Sequence, residues 1–209
     1  EEMNEYNAKL AKGQKPAELL LYCGAGIRPP AAELAALFER RTGRHVMIDP
    51  AGSEILLSRM RISRRGDLYM PGEKYYVELA QKEGLVSQRA VACYFIPTLL
   101  VAKGNPKSIQ TLEDLFKPGL KVAIGNPEAC AVGRQTRRIL DKNKLAWDDL
   151  IKNVVFQSLT VNELGTLVKT GSVDVAIVWD AVAAMYAEST QVVPIPLERN
   201  VISTVEIGA

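Results

Sequence analysis

The chain reads as an α/β protein of two lobes joined by extended strands that cross between them. Three observations predict this. Short apolar runs alternate with helical segments from Leu19 to Lys82. A long β-rich run, Val91 to Ala102, then interrupts the alternation. From Lys121 the alternation resumes. At 209 residues the chain suits one large domain or two small lobes.

The elements follow in order. Residues 1–16 are polar and lack a strong period, and read as a helical or frayed lead-in. Leu19 to Cys23 is a buried strand stopped by Gly24-Ala25-Gly26. Pro29 and Pro30 suit the first turn of a helix, where a missing N–H costs little. Leu34, Leu37 and Phe38 give that helix an apolar stripe for the core, and Gly43 ends it. His45 to Ile48 is a second strand, and Gly52-Ser53 opens a helix with Ile55, Leu56 and Met60 inward. Leu68 to Met70 is a strand closed by Pro71-Gly72, and Tyr75 to Lys82 is a helix.

Beyond the crossing run, strands are expected at Lys121–Ile124, Val154–Ser158 and Val173–Val178. Helices are expected at Cys130–Lys142, Asn162–Thr170 and Asp180–Tyr186. Val192–Ile195 and Val201–Ile207 return the chain to the first lobe. The expected division is 17–93 with 197–209 for one lobe and 94–196 for the other.

Composition narrows the function classes. Lys plus Arg is 26 and Asp plus Glu is 24, a net charge of +2, which gives no mandate for nucleic acid. No apolar run approaches the roughly 18 residues of a membrane span. With one histidine, a His-based catalytic centre or metal site is not expected. Asp67, Asp174 and Asp180 are not spaced as a catalytic pair, so neither catalysis nor a cofactor is expected. Cys23, Cys93 and Cys130 are too few for a disulfide scaffold. Cys23 and Cys130 fall one per lobe at strand-to-helix turns. They could form a redox pair, bind a soft metal or simply pack.

The turns are the informative part. In open α/β sheets ligands bind beyond the carboxyl ends of the strands. Gly24-Ala25-Gly26, Ala51-Gly52-Ser53, Pro71-Gly72 and the loop through Cys130-Ala131 each lead into a helix. Helix N-termini supply unpaired N–H donors and partial positive charge, so several converging on a cleft make an anion site. Arg28 is placed to add charge at its mouth. Ser53 reads as a helix cap that could also reach a ligand, and Thr160-x-x-Glu163 reads as a capping box.

On these residues the chain resembles the periplasmic molybdate-binding proteins of ABC importers, within the two-lobed bacterial solute-binding proteins. The resemblance runs from about Leu20 to about Ile207. Its landmarks are Gly52-Ser53, Gly66-Asp67-Leu68-Tyr69 before Pro71-Gly72, Val122 to Glu128, and Val175 to Trp179. It implies a periplasmic-binding-protein-like fold that closes on a dehydrated molybdate- or tungstate-like oxyanion. Gly26, Ser53 and Gly72 would contact it from one lobe, Val132 and Val161 from the other, and Trp179 from the closing strand. Ala25, Arg28, Cys130 and Ala131 stand beside these positions.

The resemblance further implies an exported or membrane-anchored monomer that hands its ligand to a membrane permease. Two departures stand out. Gly26 replaces the family's usual serine hydroxyl, and Trp179 replaces a frequent tyrosine hydroxyl. Other readings are a binding protein for a different small ligand, a ligand-sensing domain of a transcriptional regulator, or an enzyme on the same architecture.

Overall fold

The computed structural model describes residues 18–209, so the expected lead-in lies outside the described residues. In chain order the strands are β1 (Leu19–Gly24), β2 (Val46–Ala51), β3 (Leu68–Met70), β4 (Arg89–Phe95) and β5 (Pro97–Ala102). They continue as β6 (Val122–Gly125), β7 (Val154–Ser158), β8 (Val175–Trp179), β9 (Thr190–Pro194) and β10 (Ser203–Gly208). The helices are α1 (Arg28–Thr42), α2 (Ser53–Ser63), α3 (Lys74–Lys82), α4 (Ala131–Lys142), α5 (Trp147–Ile151), α6 (Val161–Lys169) and α7 (Asp180–Ala184). Among the described residues no helix is long and apolar enough to cross a membrane.

The strands form two five-stranded sheets, ordered β2-β1-β3-β10-β4 and β7-β6-β8-β5-β9. Three neighbours in each sheet run parallel, as the strand–helix alternation requires. The crossing strands supply the antiparallel partners: β10 lies between β3 and β4, and β5 between β8 and β9. Each sheet therefore takes in the first strand that follows a crossing, β10 in one and β5 in the other. The β-rich run is two strands parted at Ile96, because β4 pairs in one sheet and β5 in the other.

The crossings are tied together. Ile96 N–H donates to Asp180 Oδ1 at 3.1 Å, and Asp180 N–H donates to the Ile96 carbonyl at 2.9 Å. Buried Asn200 on the returning segment donates through Nδ2 to the Pro97 carbonyl at 2.8 Å. Ser203 Oγ donates to the Gly72 carbonyl at 3.0 Å, linking the return strand to a loop at the cleft.

Local chemistry explains most boundaries. Gly43 caps α1 at φ 69°, a left-handed conformation that other residues adopt at a cost. Leu56, Leu57 and Met60 bury one face of α2, with Ile55 half-buried. The expected core stripe of α1 is a correction: Leu34 is 65% exposed and Leu37 and Phe38 are each 37% exposed. The helix seats its small residues instead, Ala31 buried and Ala35 half-buried, so the bulky side chains stand clear of the sheet. Gly133 lets the first turn of α4 lie on the end of β6, because a Cβ there would run into the Gly125 and Asn126 backbone.

Candidate functional site

The carboxyl ends of β1, β2, β3, β6, β7 and β8 meet between the lobes, and the loops beyond them enclose a cavity of about 20 Å³. A single water needs roughly 10–15 Å³ on that measure, so the space takes only a compact ligand of a few heavy atoms. From the first lobe it is lined by Ala25, Gly26, Ser53 and Gly72. From the second come Cys130, Ala131, Val132, Thr160, Val161 and Trp179, with Phe95 from the end of β4. Ser53, Ala131 and Val161 each open a helix, and first-turn amides have no intrahelical acceptor. No charged side chain lines the space. Its positive character comes from helix ends, which attract anions without a countercharge.

Arg28 is exposed and does not line the cavity. It begins α1, with its side chain outside the closed cleft. Asp180 is also turned away, since its carboxylate is held by the Ile96 amide. Ser53 is not the helix cap. Gly52 occupies that position without a side-chain bond, and Ser53 Oγ accepts the Gly72 amide at 3.2 Å. That bond uses an oxygen lone pair and leaves the Ser53 proton free to point into the cavity. Thr160 makes no capping bond either. Ser158 takes over: its Oγ bonds the Glu163 carboxylate and accepts the Thr160 amide at 3.1 Å.

The lobes touch over the cavity. Asn162 Nδ2 donates to the Ala25 carbonyl at 3.3 Å, and Glu54 N–H to the Ala129 carbonyl at 3.4 Å. A Cβ on Gly72 would lie 3.0 Å from the Ala131 Cβ. Beside the cavity, Glu73 is buried against α4. It accepts from Arg138 Nη1 at 2.9 Å and Arg134 Nε at 3.3 Å. The Arg134 guanidinium lies 3.6 Å from the Tyr75 ring centroid. Burial pushes the Glu73 carboxyl above its usual range, against the opposing pull of Arg134 and Arg138. Nothing in sequence spacing marks this cluster, because Glu73 and Arg134 are 61 positions apart.

The two turn cysteines part company. Cys130 lines the cavity, whereas Cys23 is sealed within β1 and donates to the Gly24 carbonyl at 3.5 Å. Burial pushes the Cys23 thiol up to about 12, opposed by Arg28. It pushes Cys130 up to about 11, opposed by the Val132 and Gly133 amides. Both are protonated thiols at neutral pH, so neither is poised as a nucleophile or soft-metal ligand. All three cysteines are free, and among the described residues no group of three or more His, Cys, Asp or Glu could hold a metal ion. In native protein at neutral pH, a thiol reagent should label the half-buried Cys93 slowly, reach Cys130 only when the cleft opens, and leave Cys23 untouched. Rapid labelling of Cys23 without denaturant would contradict its burial.

Comparison with known proteins bears on the family and the fold. The family described as bacterial extracellular solute-binding protein matches residues 19–209. A binding protein of Haemophilus influenzae is 27% identical over 180 residues, 86% of this chain and 73% of its own length. The molybdate-binding protein ModA of Mycobacterium tuberculosis is 24% identical over 197 residues, covering 93% and 73% of the two chains. Among solved structures, the sulfate-binding protein SubI of Mycobacterium tuberculosis superposes with a TM-score of 0.80 at 19% identity, over 92% of this chain and 75% of that one.

Proposed function

Because the chain belongs to the bacterial extracellular solute-binding proteins, we propose that it captures a small tetrahedral oxyanion, of the molybdate or tungstate kind, between its lobes. It then delivers the ion to the membrane permease of an ABC importer. In this reading it acts outside the cytoplasm as a monomer and does no chemistry on its ligand. One observation carries it: a cavity of about 20 Å³, lined from both lobes by helix N-termini and by no charged side chain. Such a site neutralises an anion with oriented amides. Its size suits an ion whose charge is spread over a few oxygens.

The contacts proposed are the cavity faces of Gly26, Ser53 and Gly72 in one lobe, and Val132, Val161 and Trp179 in the other. Ala25, Cys130 and Ala131 form the adjoining wall, and Arg28 is left outside. The lobes open at Ile96 and at the segment before β10, where few backbone positions absorb the motion. Two relatives named for molybdate and sulfate binding support the oxyanion class.

Thermal melting against molybdate, tungstate and sulfate tests the reading. Ligand at about a thousand times its Kd should add about 4 kcal/mol. For a chain of this size that raises Tm by roughly 8–16 °C. A flat response to every oxyanion would overturn it. Ser53→Ala should weaken binding about tenfold or more, since a hydrogen bond to a charged partner contributes about 1.5–3 kcal/mol. It also removes the acceptor of the buried Gly72 amide, so the ligand-free Tm should fall by a few degrees, and the affinity loss is measured below that lowered Tm. Equal affinity in wild type and variant would take Ser53 out of the site.

A further inference from the structure

For the lobes to part, the two crossings must bend, and their hydrogen bonds decide which links can. At the first crossing β4 ends at Phe95 and β5 begins at Pro97, with Ile96 between them. One residue takes both backbone groups of Ile96. Asp180, which begins α7, accepts the Ile96 N–H through Oδ1 at 3.1 Å and donates its own N–H to the Ile96 carbonyl at 2.9 Å. The proline ring fixes φ of Pro97, and its bulk confines ψ of Ile96 to extended values. The soft torsions left are ψ of Phe95 and φ of Ile96, on either side of their shared peptide bond.

The second crossing is fastened to the same lobe. Arg199 donates through Nε to Asn143 Oδ1 at 2.7 Å and through Nη1 to Glu113 Oε2 at 3.1 Å. Its carbonyl accepts from Asn143 Nδ2 at 2.7 Å, and the Asn200 carbonyl accepts from Lys142 Nζ at 2.7 Å. Asn200 is buried, and its Nδ2 holds the Pro97 carbonyl at 2.8 Å. The returning chain is thus tied, through Asn200, to the end of α4 and the turn Glu113–Phe116. β10 begins at Ser203, which pairs with Phe95 in the other sheet and bonds the Gly72 carbonyl. Only Val201 and Ile202 separate these two attachments.

We propose that Asp180 is a positioning residue for lobe closure: by holding both backbone groups of Ile96 it makes that residue part of the second lobe, so the bend falls at the Phe95–Ile96 link and at Val201–Ile202. The inference rests on the reading that the lobes close on a ligand, and not on which ligand. Phe95 and Trp179 stand on opposite sides of the first link, stacked with ring centroids 5.1 Å apart, and both line the cavity. Trp179 directly precedes Asp180, so the clip and one wall of the cavity move as one piece. Without the clip Ile96 becomes a loose link of its own. The open form then samples more geometries, a smaller fraction is poised to close, and the apparent affinity falls by that fraction.

Amide hydrogen exchange and molybdate binding, both on the full chain, test the clip. In wild type the Ile96 and Asp180 amides should be as protected without ligand as with saturating molybdate, because the clip survives opening. Fast exchange without ligand and slow exchange with it would mean that the bend passes through Ile96, which overturns the proposal. Asp180→Asn keeps an oxygen that accepts the Ile96 N–H, and should bind molybdate within about twofold of wild type. Asp180→Ala should speed Ile96 exchange at least about tenfold and weaken molybdate binding about tenfold, measured well below its Tm. A lower Tm with unchanged affinity in Asp180→Ala would leave the clip a structural contact and overturn its role in closure. If wild type binds no molybdate, the oxyanion reading falls and ligand-free exchange decides the clip. Equal Ile96 exchange in wild type and Asp180→Ala would then overturn it.

Discussion

Gly52→Ala should abolish ligand capture while leaving both lobes folded. Gly52 sits at φ −64° and ψ 151°, extended backbone that alanine adopts without strain. Within the first lobe the change is harmless, and the lower entropy of the unfolded chain would even add about 0.4–1 kcal/mol. The obstacle lies in the other lobe. A Cβ at this position would penetrate the Leu159 carbonyl oxygen, and the Ala129 carbonyl stands 3.5 Å away. Both are main-chain atoms, so no rotamer change relieves the clash. Closure must stop short, and the second-lobe amides cannot reach a ligand held by the first. The expected result is an unchanged or slightly higher ligand-free Tm, no ligand-induced shift, and affinity lowered more than about a hundredfold. Wild-type affinity in this variant would show that the ligand does not require the closed contact.

Glu73→Lys should have the next largest effect, and the comparison with Glu73→Gln is the instructive part. Buried ion pairs roughly break even, because the cost of desolvation offsets the attraction. Burial raises the Glu73 carboxyl despite Arg134 and Arg138, so the ionised form gains little here. Glu73→Gln should therefore weaken ligand binding by only about threefold, a loss of about 0.7 kcal/mol. Glu73→Lys puts a third cation against Arg134 and Arg138 at a buried contact between the lobes. Facing like charge with no anion beside it, the cleft should stay open, and affinity should drop by about two orders of magnitude.

The same direction fixes a pH dependence. The closed form holds the Glu73 proton more tightly than solvent-exposed glutamate does. Closure then takes up protons, and affinity rises as pH falls through the raised value toward the ordinary glutamate range. Glu73→Gln should lack that rise. A wild-type affinity that falls with pH over this window, in a comparison corrected for ligand protonation, would contradict the assignment.

Much of the fold was legible because it rests on local patterns. Apolar runs stopped by Gly24-Ala25-Gly26 and Pro71-Gly72 place the ends of β1 and β3 to within a residue, whereas β2 runs past the expected Ile48 through Asp49 and Pro50 to Ala51; those ends make the cavity. What failed required knowledge of partners. Ser53 looks like a cap because serine before a helix is one by default. Only the fold brings the Gly72 amide to it, 19 positions away. The α1 stripe reads as core, but the helix packs through alanines. Short elements without a strong period, the turn Glu113–Phe116 and α5, gave no signal. Glu73 carries no motif at all. Its significance arises from α4, which the second lobe delivers.

On the proposed function the closed cleft holds a small tetrahedral oxyanion. The most direct measurement is a crystal structure of the protein with tungstate, whose metal scatters anomalously. One strong anomalous peak is expected inside the cavity, flanked by Ser53 and Gly72 on one side and Val132, Val161 and Trp179 on the other. A cavity without that peak at saturating tungstate, or a peak only on the outer surface, would contradict it.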